Sequence, residues 1–163
     1  MNGRMNLRNK GKRENKIFYL ISSIMFYGYI LFLFWRVFFY AYGSYYRSSS
    51  EIISYNIIPF KTIINYLARF NAYPLDVWFF NLFGNVMAFM PLGFFVPIVY
   101  GRIKKSKYII YIGFLMSLFI EVLQIITRLG TFDVDDIILN TMGTLIGYVV
   151  YKGVGKFLKD ALF

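Results

Sequence analysis

Glu121, Gln124 and Arg128 follow an i, i+3, i+7 spacing, and Asp133, Asp136 and Asn140 repeat it shortly afterwards. On helices each set forms one stripe, so two neighbouring segments can turn carboxylates and amides toward each other. Glu121 and Asp136 are the candidate catalytic pair, because two facing carboxylates can act as acid and base or share a cation. Asp133, Asp135 and Asp136 are candidate metal ligands, although they lack the spacing of a calcium loop. Their plainer reading is helix capping together with a pair to Arg128, with Asp135 lying off the common face to cap the helix or meet solvent. Asn81 and Asn85, four apart, add two amides on one face, either as ligands or as hydrogen-bond glue between helices. With Arg36, the candidate binding set is Arg36, Asn81, Asn85, Glu121, Gln124, Arg128, Asp133, Asp136 and Asn140.

The residue types also exclude chemistry. The chain has no cysteine and no histidine, which removes disulfides, thiolate catalysis, thiolate or imidazole metal sites and the commonest general base. No nucleophile motif appears, so the sequence leaves open whether the chain is an enzyme. No cofactor is expected, and a divalent cation held by the acids is the one compatible addition.

The elements that must position these residues are set by hydropathy. Of 163 residues 58% are hydrophobic and 22% aromatic, against roughly 45 to 50% apolar content in soluble domains. Apolar runs long enough to cross a hydrocarbon core of about 30 Å predict four membrane-spanning helices at about 17–42, 78–100, 108–127 and 136–157. The expected organisation is a basic tail over 1–16, one membrane domain over 17–157 and a short C-terminus over 158–163. The fold class is therefore an all-α four-helix membrane bundle. In the first connection Phe60, Ile63, Ile64 and Leu67 fall at i, i+3, i+4, i+7 after Pro59, which predicts a short amphipathic helix lying in the outer interface.

The formal charge of +10 resides in the two tails and in the Arg102, Lys104, Lys105, Lys107 loop. Such clusters flanking apolar spans follow the positive-inside rule and attract anionic lipid. They lack the stacking aromatics of a nucleic-acid site, so no nucleic acid is expected. The expected topology has both termini in the cytoplasm, and the acids other than Glu14 and Asp160 on or near the outer side. A small transporter is disfavoured because no internal repeat is visible, although an oligomer is compatible with the sequence.

Depth estimates bring the polar residues together. Arg36 lies about 29 Å along the first helix from Ile17, and Glu121 about 20 Å along the third from Tyr108. Both therefore reach the outer third of the bundle. A carboxylate there needs a cation such as Arg128 or Arg36, or a proton. Gly143 and Gly147 form a G-x-x-x-G pair suited to close helix packing, and Pro91 and Pro97 are expected to kink the second span.

The segments Asn81 to Gly93 (NLFGNVMAFMPLG), Glu121 to Gln124 (EVLQ) and Asp133 to Gly143 (DVDDIILNTMG) resemble the VanZ-like family in order and spacing. Asn56 to Ile63 (NIIPFKTI) resembles its outer-loop motif, so the likeness runs from about Asn56 to Tyr151. One departure is local: many members carry arginine where this chain has Leu129, with Arg128 one step earlier. The resemblance implies a multi-pass protein of the bacterial cell membrane that lowers susceptibility to teicoplanin or related lipoglycopeptides by altering drug access at the outer membrane surface. The alternative is a membrane-embedded enzyme acting on a lipid or lipid-linked envelope substrate through Glu121 and Asp136. The expected partners are membrane lipids and either a lipoglycopeptide or a lipid-linked precursor.

Overall fold

The computed structural model describes residues 2–36, 55–69, 74–128 and 130–162. The chain runs α1 (Asn2–Trp35), β1 (Tyr55–Asn56), α2 (Lys61–Ala68), α3 (Leu75–Val99), α4 (Ser106–Thr127), β2 (Phe132–Asp133) and α5 (Val134–Leu162). Residues 37–42 of the expected first span, together with Arg47 and Glu51, lie outside the described residues.

Four of these helices are long and apolar enough to cross a membrane, over Lys16–Trp35, Val77–Val99, Ser106–Thr127 and Val134–Lys156. Their exteriors are apolar: Leu31, Phe80, Met87, Tyr111, Ile126 and Val149 are all exposed. A surface of that kind is unfavourable in water and suited to hydrocarbon. The chain is a multi-pass membrane protein with an all-α bundle.

The boundaries shift from those read in the sequence for local reasons. Helix α1 runs from Asn2, and its membrane-spanning part begins at Lys16, beside the Ile17 read from the sequence. Helix α3 starts directly after Pro74, a residue that supplies a preset φ at a helix start. It continues through Pro91 and Pro97, and Pro97 is fully buried.

The centre of the bundle is the α3–α5 pair, which shares the most extensive helix–helix contact. Glycines allow it. A Cβ on Gly143 would overlap the Val86 carbonyl, one on Gly147 the Met90 carbonyl, and one on Gly93 the Thr144 carbonyl. Each helix thus lays backbone against backbone, the close approach that G-x-x-x-G spacing permits between membrane helices. Around this contact Leu33, Phe89, Leu92, Val96, Ile109 and Tyr148 form the core. Helix α1 joins through the Tyr29 hydroxyl, which donates to the Ala88 carbonyl at 2.7 Å.

The two ends of the bundle differ. At one end the Tyr148 hydroxyl donates to the Lys104 carbonyl at 2.8 Å, and the Tyr27 and Tyr100 hydroxyls meet at 3.1 Å. Arg102, Lys104, Lys105, Lys107 and Lys152 therefore cluster there. The opposite end carries α2, the acids and a two-residue parallel pairing of β1 with β2, in which Tyr55 faces Phe132 and Asn56 faces Asp133. Helix α2 is the amphipathic helix expected from the sequence. It buries no residue, and it leaves Phe60, Ile64 and Leu67 exposed on its apolar side.

The glycine contact yields a direct prediction. Gly147→Ala should destabilise the bundle by about 1–3 kcal/mol, as overpacking does in other tight cores. Thermal unfolding in detergent micelles reads this as a lower midpoint, and an unchanged midpoint would contradict the backbone contact.

Candidate functional site

At the end of the bundle opposite the basic loop, backbone N–H groups rather than basic side chains meet the carboxylates. Asp133 starts α5 as its N-cap. Its Oδ1 accepts the Asp135 N–H at 2.8 Å, the bond from cap to second helical residue that satisfies a free N–H at a helix start. The same oxygen accepts Asn56 Nδ2 at 2.9 Å, and its Oδ2 accepts the Thr62 hydroxyl at 2.6 Å.

Asp135 caps a different helix from the one that carries it. Its Oδ1 accepts the Phe60 N–H at 2.5 Å, and its Oδ2 accepts the Thr62 and Ile63 N–H groups at 2.7 and 3.1 Å. The residue is 0% exposed, so of the two expectations for Asp135, a cap or a place in solvent, the second is corrected and the first holds for α2 rather than for its own helix. The physical reason is that the free N–H groups at the start of α2, together with the helix dipole, form a ready site for a carboxylate. Phe60 sits in the left-handed region with φ 66°, an uncommon conformation for a bulky residue, and the Asp135 bond to its N–H holds it there.

Glu121 was expected to find Arg128 or Arg36. Its Oε2 instead accepts the Asp133 N–H at 2.9 Å, and the side chain is 2% exposed. Asp136, in the first turn of α5, accepts Asn85 Nδ2 at 2.6 Å through Oδ1. Among the described residues no lysine or arginine pairs with Glu121, Asp133, Asp135 or Asp136. Arg128 is exposed and follows α4 in the left-handed region with φ 56°. Arg36 comes nearer: one of its guanidinium nitrogens lies 3.6 Å from where a Cβ on Gly84 would stand, beside Asn85 in sequence.

Asn81 does not join the site. It is exposed, and its amide returns to its own helix at the Val77 carbonyl at 2.7 Å. Gln124 lies close to Gly130, and its Oε1 is buried without a partner among the described residues. Asn140, 5% exposed, donates to the fully buried Ser117 hydroxyl at 2.8 Å, while its Oδ1 likewise has no donor.

The structure thus gathers Asn85, Glu121, Asp133, Asp136 and Asn140 from the sequence-derived set. It adds Asn56, Thr62, Ser117 and Thr144. Asn56 and Thr62 lie in the outer-loop motif already noted, and Ser117 and Thr144 could have been found as the residues four before Glu121 and four after Asn140. As for a metal, the oxygens of Asp133 and Asp135 are taken by N–H and O–H donors. Among the described residues no group of three or more acidic side chains is arranged to hold an ion.

Beside this cluster, between α4 and α5, runs an apolar groove of about 500 Å³. Ile110, Phe114, Leu118, Ile138 and Leu145 line its helical portion, and Phe132 and Val134, the neighbours of Asp133, lie at its acidic end.

A family model described as VanZ/LLP1 matches residues 26–158. The chain is also similar to a protein named Protein VanZ from Enterococcus faecium, 27% identical over 114 residues. That alignment spans 66% of this chain and 66% of the relative, slightly under two thirds of the latter's length. No solved structure matches.

The Asp135 cap can be tested directly. Asp135→Ala removes the two oxygens that accept three N–H groups and should cost about 4 kcal/mol or more locally, since bonds to a charged group are worth roughly 1.5–3 kcal/mol each. Hydrogen exchange should show the Thr62 and Ile63 amides losing protection while mid-α3 amides keep theirs. Unaltered protection at Thr62 would mean that something else docks α2.

Proposed function

Because the chain belongs to the VanZ/LLP1 family, we propose that it lowers susceptibility to teicoplanin or a related lipoglycopeptide by changing drug access at the outer face of the bacterial membrane. The observation that carries this reading is the adjacency of two unlike surfaces. The acid and amide cluster sits at one bundle end, and the apolar α4–α5 groove begins beside it at Phe132 and Val134. An amphiphile with a hydrocarbon tail and a polar head matches that pair, because the tail gains by leaving polar surroundings while the head keeps polar partners. Glu121 and Asp136 are the side chains assigned to the head, together with Asn85 and Asn140.

A second reading is favoured by the same pair of carboxylates. Two acids from facing helices, each with only one oxygen engaged by a donor, could pass a proton during chemistry on a lipid-linked substrate. The two readings differ in product: an enzyme alters a lipid, whereas an access factor does not.

The test is a sensitive Gram-positive host expressing the wild type, Glu121→Gln or Asp136→Asn at matched membrane levels. Protection from teicoplanin is expected only from the wild type, with unchanged lipid extracts. Full protection from both variants would remove the site assignment, and a new lipid species dependent on Glu121 would favour the enzyme.

The proposed orientation places both termini in the cytoplasm and the acids outside, following the charge sorting of the two bundle ends. The chain lacks cysteine, so single cysteines at Ser106 and Thr131 can be labelled without background. An impermeant thiol reagent added to intact cells should modify the Thr131→Cys variant only. Labelling at position 106 instead would invert the topology.

A further inference from the structure

We infer that α2 is a docking surface for anionic phospholipid at the acidic end of the bundle, with Phe60, Ile64 and Leu67 among the acyl chains and Lys61 and Arg69 on the phosphates. Periodicity alone places an amphipathic helix in an interface. The structure adds which neighbour each side of the helix meets, how deep it lies and which lipid its charges select.

The half-buried residues of α2 are Thr62, Ile63 and Tyr66, and they are the ones bonded to the bundle. Thr62 and Ile63 meet Asp133 and Asp135, and the Tyr66 carbonyl accepts the Trp78 indole N–H at 3.0 Å. The bonds that dock α2 are thus polar, and no residue of the helix is buried. Its apolar residues turn outward instead: Phe60, Ile64 and Leu67 are all more than half exposed, as are Ile57 and Ile58 in the turn before them. A helix docked on a protein in water does the reverse, turning its apolar stripe to the core and its polar side to solvent. An exposed apolar side of this kind asks for an apolar neighbour.

Helix α3 shows where that neighbour is. From Trp78, which ties α2 to α3, to Tyr100 the helix rises about 33 Å, close to a hydrocarbon thickness of roughly 30 Å. Tyr100 lies at the basic end, its hydroxyl against that of Tyr27, with Arg102 and Lys104 just beyond. Tyrosines and basic residues of this kind mark one membrane interface, which puts α2 at the other. The lipid-facing exterior of α3 runs up to it, since Leu75, Phe79 and Phe80 are exposed. The apolar side of α2 therefore extends a surface that already belongs to hydrocarbon.

The charges select the lipid. Lys61 and Asn65, four apart, share a second face, continued by Arg69 at the helix end, and all three are exposed. Neither cation pairs with an acid among the described residues. Lys61 stands in the first turn, where the helix dipole favours an acid, so the stability of α2 gives no reason for it. A helix lying in the plane of the headgroups carries both cations to phosphate level, where lysine and arginine gain by contact with anionic lipid. Lipid contact is read without any antibiotic, so this surface stands or falls apart from drug protection.

The full chain should be reconstituted in vesicles of phosphatidylcholine and phosphatidylglycerol. The chain has no cysteine, so nitroxide labels on Ile64→Cys, Leu67→Cys and Asn65→Cys can be read one at a time. Labels at 64 and 67 are expected to collide with oxygen, which concentrates in hydrocarbon, and the label at 65 with a water-soluble nickel chelate. Chelate access at 64 and 67 would place α2 in water, and exclusion of both reagents would mean that protein covers it; either result overturns the docking surface. For the charges, Trp35→Phe leaves Trp78, bonded to α2 and remote from the basic end, as the only tryptophan. Brominated phosphatidylglycerol should quench it with an apparent affinity about fivefold or more above that of brominated phosphatidylcholine, as contact with one or two cations implies. Lys61→Gln combined with Arg69→Gln should bring that ratio close to parity while the oxygen profile holds. Equal quenching by the two lipids with both cations present, or an undiminished ratio without them, would overturn the anionic partner.

Discussion

Three N–H groups at the start of α2 converge on the Asp135 carboxylate, which lies 75 residues from Phe60 and 72 from Ile63 in sequence. Most of the acidic end depends on that meeting. It fixes α2 against the mouth of α5 and holds Phe60 in a left-handed conformation. It also brings Asn56 and Thr62 to Asp133, whose own N–H then reaches Glu121. In a membrane protein, where polar groups without partners are costly, such a chain of caps lets Glu121 and Asp135 stay buried with no lysine or arginine paired to them among the described residues. The dipoles of two short-range helix starts take the place that a salt bridge would otherwise fill.

The membrane-spanning part and the site differ in how legible they were. Four apolar runs, an amphipathic segment after Pro59 and the Gly143–Gly147 spacing gave the spans, α2 and a close-packing face on α5, though not the helix that packs there, because hydropathy and side-chain volume act locally along a helix. Glu121, Asp136 and Asn140 were visible for the same reason, each being a polar residue on an apolar helix. The partners were not visible. Depth alone brought Arg128 and Asn81 toward the acids, but the left-handed turn at Arg128 and the return of the Asn81 amide to Val77 depend on backbone geometry. Asp135 looked like the least constrained of the three aspartates, since helical spacing puts it off the common face. That same position is what aims it at α2.

The second constraint is closeness between helices. Gly93, Gly143 and Gly147 let α3 and α5 approach until carbonyl groups face bare Cα atoms, and this places Asn85 within reach of Asp136. The α4–α5 side is different, with hydroxyl, amide and carboxylate pairs toward the core and an apolar groove toward the hydrocarbon. One helix, α5, therefore serves two tasks on two faces. Its glycine face joins α3, and its acid and amide face meets α4.

The cap from Asp135 to α2 also has a consequence for biogenesis. Phe60 and Thr62 leave the ribosome long before Asp135, so the start of α2 has no acceptor until the final membrane helix is being inserted. The site at the acidic end is then a late product of synthesis, completed when α5 arrives. A chain truncated before α5 would keep three spans but would leave the Phe60, Thr62 and Ile63 N–H groups without the Asp135 carboxylate.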